Sequence, residues 1–226
     1  MRTVIFDLDG TLADTSGDLI AAANVCFSQM GAGAMLHPDT DAPTALRGGR
    51  AMLRLGLSRM GGIDEAEVDR WYPVLLEAYG AAIDVHTRLY PGVVEAVDLL
   101  VSGGTRVGIC TNKPEGLAET LLTRLGVRDL FGSLVGADTL PVRKPDPAPF
   151  RAAVERAGGA VDASLLVGDT ETDRETARAA GVPCILVRFG PEGAGVARLE
   201  PEATMGHFAE LPDLAARLLG QGRAAE

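Results

Sequence analysis

Positive charge is scarce in this 226-residue chain: 21 Lys and Arg stand against 31 Asp and Glu, a formal net charge of −10. That balance excludes the basic groove of a nucleic-acid binder and adsorption to an anionic membrane, so any anionic substrate must be met by locally gathered cations. Aromatic residues make up 4% of the chain, with Trp71 the sole tryptophan, which excludes stacking platforms for bases or sugars. Cysteine occurs three times, at Cys26, Cys110 and Cys184, an odd and widely spaced set without metal-ligand spacing. A disulfide framework is thereby excluded, and reduced thiols in a cytoplasmic protein are expected. No apolar run reaches the length of a membrane span, and Asp7 and Asp9 arrive before the core of a signal peptide could form.

Hydrophobic residues are 46% of the total, enough for one sizeable core and a smaller accessory domain. The stretch that organises the chain is Thr3-Val4-Ile5-Phe6-Asp7-Leu8-Asp9-Gly10-Thr11-Leu12. Its apolar start suits a parallel strand buried on both faces, and Gly10 and Thr11 read as the turn that stops it. Asp7 and Asp9 lie two residues apart, so in strand geometry they share a face and repel. A divalent cation or a protonated partner would resolve that conflict. In an open α/β sheet the site lies beyond the carboxyl ends of the strands, where this pair emerges.

The next segments are helical: residues 16–30, residues 44–60 with Gly48-Gly49 bending the start, and residues 64–83 with Val68, Trp71, Leu75, Leu76 and Tyr79 in register. After the turn signal Tyr90-Pro91-Gly92, helices and strands alternate: strands at 106–110, 134–135, 164–167 and 183–187, each reached through a helix. That alternation predicts right-handed crossovers and a doubly wound parallel sheet. The domain expectation is a core of residues 1–14 and 91–226 with a helical insert of residues 15–90. Residues 189–201 read as loop, a last helix is expected near 212–219, and residues 221–226 read as a frayed tail.

Three later strands also end in polar residues: Thr111-Asn112-Lys113-Pro114, Arg143-Lys144-Pro145-Asp146-Pro147 in the connection after residue 135, and Gly168-Asp169-Thr170-Glu171-Thr172-Asp173. Each has an ordinary reading taken singly: a Thr or Asn helix cap before Pro, a solvated loop lysine, an Asp cap. Four strand ends that each close in polar residues make coincidence a poor account.

These motifs resemble those of the haloacid dehalogenase-like superfamily of phosphohydrolases, over nearly the whole chain, and within it the phosphoglycolate phosphatases. The resemblance implies a Rossmann-like α/β core with an inserted α-helical cap, and Mg²⁺-dependent hydrolysis of a small phosphate ester such as 2-phosphoglycolate. It implies that Asp7 is the nucleophile, Asp9 the acid/base, and Thr111 and Lys144 the phosphate cage, joined in binding substrate by Thr11 and the backbone amide of Asn112. The metal would be held by Asp7, the backbone carbonyl of Asp9 and Asp169, with Asp173 one helical turn behind. Arg47 and Arg50 flank Gly48-Gly49 where the phosphoglycolate phosphatases usually show a Gly-Asn-Gly-like turn; they are candidates for a substrate carboxylate, or else solvated helix arginines. A phosphomutase on the same core, and a non-catalytic binding module, are the alternatives. Oligomeric state is left open.

Overall fold

The unbroken apolarity of residues 4–6 is explained by their place. In the computed structural model of the chain, which describes residues 1–220, β1 (Thr3–Phe6) is buried along its length inside a six-stranded parallel sheet. The chain divides into two compact units, one formed by Met1–Ala13 with everything from Leu89 onward, the other by Asp14–Arg88.

In the first unit, β1 is followed after the second unit by α5 (Val93–Ser102), β4 (Arg106–Cys110), α6 (Glu115–Arg124), β5 (Leu134–Val135) and α7 (Pro147–Arg156). Then come β6 (Ser164–Gly168), α8 (Glu171–Ala180), β7 (Cys184–Val187), β8 (Ala203–Met205) and α9 (Leu211–Gly220). The sheet order β5-β4-β1-β6-β7-β8 puts β1 between β4 and β6, with Phe6 in register with Ile109 on one side and Val167 on the other. This is the doubly wound α/β architecture that the alternation of helices and strands implied. Cys110 and Cys184 are buried free thiols in the core.

The second unit contains α1 (Ser16–Gln29), α2 (Pro38–Ala45), α3 (Gly49–Arg59) and α4 (Glu65–Ala81), while β2 (Ala13–Asp14) and β3 (Arg88–Leu89) form a separate two-stranded sheet. The single helix expected over residues 44–60 is in fact the end of α2 and the whole of α3. The break falls at Gly48, whose φ of 94° lies in the left-handed region that side-chain-bearing residues avoid. Helix α3 packs through Met52, Leu53 and Leu57, all buried, and Gly56 sits so close to the Phe27 ring that a Cβ there would collide with it. Met60, expected on the same face, is 41% exposed at the helix end.

Two further differences lie after β7. Residues 193–199 form a 3₁₀ turn within what reads as loop, and β8 adds an edge strand in register with β7 from Ile185↔Ala203 to Val187↔Met205. Three residues preceded by Glu200, Pro201 and Glu202 carry no strand signal of their own; pairing with β7 makes them one. The expected tail at 221–226 lies outside the described residues. Among the described residues no helix is long and apolar enough to cross a membrane.

Candidate active site

Because β4, β1 and β6 run in register, the residues just past their ends fall side by side. The Asp7 amide donates to the Val167 carbonyl (2.9 Å) and the Thr111 amide to the Val135 carbonyl (2.9 Å), so both residues still follow the sheet. Beyond Asp7 the chain turns back on itself, the Leu8 carbonyl accepting the amides of Leu12 (3.0 Å) and Ala13 (3.1 Å). The turn needs Gly10, at φ 80°, and its missing side chain leaves room for the Asp169 carboxylate, which a Cβ would strike.

Each member of the repelling pair has its own cation. Lys144 Nζ lies 3.1 Å from Asp7 Oδ1, and Lys113 Nζ lies 2.8 Å from Asp9 Oδ1, with both lysines buried. Lys144 also reaches Asp173 Oδ1 at 2.6 Å. The other Asp173 oxygen accepts the Thr170 hydroxyl (2.7 Å) and the amides of Thr170 (3.1 Å) and Asp169 (3.2 Å). With both its oxygens engaged, Asp173 fastens Lys144 to the start of α8. The Lys144–Pro145 peptide bond is cis.

Asp169 is fully buried; its Oδ1 accepts the Thr11 hydroxyl at 2.7 Å, while Oδ2 has no hydrogen-bond partner among the described residues. A buried carboxylate oxygen without a partner costs free energy unless a cation completes it. Carboxylate oxygens of Asp7, Asp169 and Asp173 lie within 4.8 Å of one another. Four carboxylates (7, 9, 169 and 173) face two ammonium groups (113 and 144), which leaves a deficit of two positive charges when all are ionised. The donor set therefore fits a hard divalent cation with oxygen ligands such as Mg²⁺, with Asp7 and Asp169 as the available side chains. The Asp9 carboxylate is outside this group of three.

The electrostatics follow from burial. Desolvation lifts the Asp7 carboxyl from an ordinary 3.8 to about 6; Lys144 opposes the rise, and Asp173 and Asp9 add to it. Asp169 is pushed well up by the same burial and by Asp173 and Asp7, against the Thr11 hydrogen bond and Lys144. Burial alone would lower Lys144, but Asp173 and Asp7 outweigh it and hold the ammonium above the usual lysine range. Lys144 is thereby held in its charged form, and burial opposes ionisation of Asp7 and Asp169 where no further cation relieves them.

The remaining sequence candidates divide. Thr111 is buried, its hydroxyl accepting the Lys113 amide at 3.2 Å. Asn112 is exposed, and its side-chain amide donates to the Lys144 carbonyl (3.0 Å), joining the two lysine-bearing loops. Thr11, expected at the substrate, gives its hydroxyl to Asp169 and so orients that carboxylate. Arg50 pairs with Asp69, its guanidinium 4.4 Å over the Tyr72 ring, and Arg47 is exposed; both lie in the helical unit. The residue that sequence reasoning missed is Lys113. Its signal was its position two residues past Thr111, and a lysine before proline in a loop offers nothing else to mark it.

A family model described as haloacid dehalogenase-like hydrolase matches residues 4–187. A phosphoglycolate phosphatase of Agrobacterium fabrum is 37% identical to the chain, over 98% of its length and 95% of that protein. One from Caulobacter vibrioides is 34% identical over 96% of the chain and 92% of that protein. Among solved structures, one from Haemophilus somnus 129PT described as a predicted phosphoglycolate phosphatase superposes with a TM-score of 0.82 at 25% identity, covering 95% of this chain and 97% of that one.

Proposed function

The chain belongs to the haloacid dehalogenase-like hydrolases, and from that premise we propose that it is a Mg²⁺-dependent phosphatase that hydrolyses 2-phosphoglycolate through an aspartyl-phosphate at Asp7. The observation that carries the reading is the buried group of Asp7, Lys144 and Asp169, which sets a carboxylate against a fixed ammonium and an unsatisfied carboxylate oxygen. A non-catalytic module has no use for so costly an arrangement.

Phosphoryl transfer asks the protein mainly for a nucleophile, positioning and charge neutralisation. Asp7 attacks phosphorus, the bond to the ester oxygen breaks, and Asp9 gives its proton to the departing alkoxide. Asp9, now ionised, then takes a proton from water as that water attacks the same phosphorus and frees Asp7. Lys144 and the Thr111 hydroxyl hold the equatorial oxygens, and Asp173 keeps Lys144 in place. Asp7 and Asp169 are the side chains that would hold Mg²⁺, which supplies Lewis-acid neutralisation of the phosphoryl charge when bound. The helical unit is assigned the role of a cap that selects the leaving group. Phosphoglycolate is favoured by relatives of that name at 34% and 37% identity along nearly the full chain.

The test is kcat/KM of purified protein over a panel of small phosphate esters, with Mg²⁺ and with EDTA. The reading expects 2-phosphoglycolate to rank first, EDTA to silence turnover and added Mg²⁺ to restore it. Phosphate release from none of the esters, or full activity in chelator, contradicts it.

A further inference from the structure

Lys113 is the one buried cation of the site that the mechanism above leaves without a task. Its ammonium sits 2.8 Å from Asp9 Oδ1, and its side chain is 4% exposed. Its root is held from several sides. The Lys113 amide donates to Thr111 Oγ1 (3.2 Å), and its carbonyl accepts the Ala137 amide (2.9 Å). The next helix begins against the same neighbour, the Glu115 amide donating to Asp138 Oδ1 at 2.7 Å. Gly136 lies so close to Glu115 that a Cβ there would collide with its backbone. The Asn112 side chain ties this loop to the carbonyl of Lys144 (3.0 Å). A lysine is usually a flexible reach into solvent; this one is a charge mounted on a fixed frame shared with Lys144.

Asp9 needs such a partner because of where it stands. It lies two residues from Asp7, next to a group of carboxylates short of positive charge and fit for a divalent cation, so an unrestrained Asp9 carboxylate is drawn toward Lys144 or that cation. Either destination removes it from proton transfer. We propose that Lys113 is a positioning residue for the reaction: by pairing with Asp9 it reserves this carboxyl for the leaving oxygen, while Lys144 serves Asp7 and the phosphoryl group. The inference rests on the proposed roles of Asp7 and Asp9. In the step it governs, Asp9 enters protonated, with Oδ1 held by Lys113 and the proton on Oδ2; the Asp7 oxygen bonds to phosphorus, the phosphorus–ester oxygen bond breaks, and the Oδ2 proton leaves for that oxygen.

The two esters that separate this role from others differ in their need for the proton. An alkoxide must be protonated as it leaves, whereas p-nitrophenolate leaves without help. Single-turnover release of alcohol, with enzyme in excess, isolates the first step for an alkyl phosphate and for p-nitrophenyl phosphate. Lys113→Met keeps the apolar stem and removes the charge. It is expected to slow alkyl release about a hundredfold, the scale of a misplaced proton donor, while aryl release changes by less than roughly threefold. Lys113→Arg restores the charge and is expected to recover alkyl release to within about tenfold of wild type. Equal losses on both esters overturn the proposal in favour of phosphate binding or structure, and unchanged alkyl release overturns it outright. Lys113→Gln serves the same comparison if the Met variant melts below the assay temperature. Failure of the wild-type protein to release either alcohol would instead remove the phosphatase reading beneath it.

Discussion

Asp7 is held where an ionised carboxylate is least welcome, buried beside Asp9 and Asp173 with Lys144 as its relief, and its carboxyl rises to about 6. Because the folded value lies above the ordinary 3.8, the folded state binds the proton more tightly than the unfolded chain does. The penalty for ionising Asp7 is absent below about pH 4, where both states are protonated; it grows between about 4 and 6 and is constant above. Asp7→Asn is therefore expected to abolish turnover and yet to raise the melting temperature of the metal-free protein at pH 7.5, with the gain vanishing near pH 4. Calorimetry of the two proteins at both pH values checks this, and a variant that is less stable at pH 7.5 contradicts it. Asp7, Asp9, Asp169 and Asp173 stood out in the sequence because an acid that closes or closely follows an apolar strand is not explained by packing, whereas Lys144, well past β5, was picked out by the resemblance of its Pro-rich motif. Lys113 was not, since its meaning comes from the neighbouring β5 connection, and neither was the use of the Thr11 hydroxyl, which is settled by a contact across 158 residues.

At the scale of elements, the order of strands was readable because each parallel strand is a short apolar run closed by polar residues. Elements made by partners rather than by their own pattern were not: β8 exists through β7, and the helix over 44–60 divides where Gly48 takes a left-handed conformation. Within the helical unit, the start of α1 is fastened by Asp18. This buried carboxylate accepts the amides of His86 (2.9 Å) and Thr87 (2.9 Å) and the Thr87 hydroxyl (2.7 Å). Gly17 faces His86 with no room for a side chain, a Cβ there lying 2.8 Å from His86 Cβ. Asp18→Ala leaves the His86 and Thr87 amides without their acceptor, while the Thr87 hydroxyl keeps the Ile83 carbonyl at 3.2 Å, and is expected to cost about 1.5–3 kcal/mol, as for hydrogen bonds to a charged group. Urea denaturation measures it; a loss below about 0.5 kcal/mol would mean that water replaces the carboxylate.

For the whole molecule, a net charge of −10 and a site short of two positive charges describe the same economy: cations are few, and two buried lysines are gathered at the strand ends, while the buried Arg174 is engaged by Glu202. Two lysines pair there with two carboxylates, Lys144 with Asp7 and Lys113 with Asp9, and in the proposed reading these are the nucleophile and the acid/base. The central claim is that Asp7 itself carries the phosphoryl group. It is tested most directly by acid quench during turnover of the best ester of the panel, followed by borohydride reduction and peptide mass spectrometry. Reduction converts an aspartyl-phosphate to homoserine, so the account predicts that change at Asp7 in the wild-type protein and its absence without substrate. Brisk phosphate release with Asp7 unmodified, or modification at another carboxylate, would contradict it.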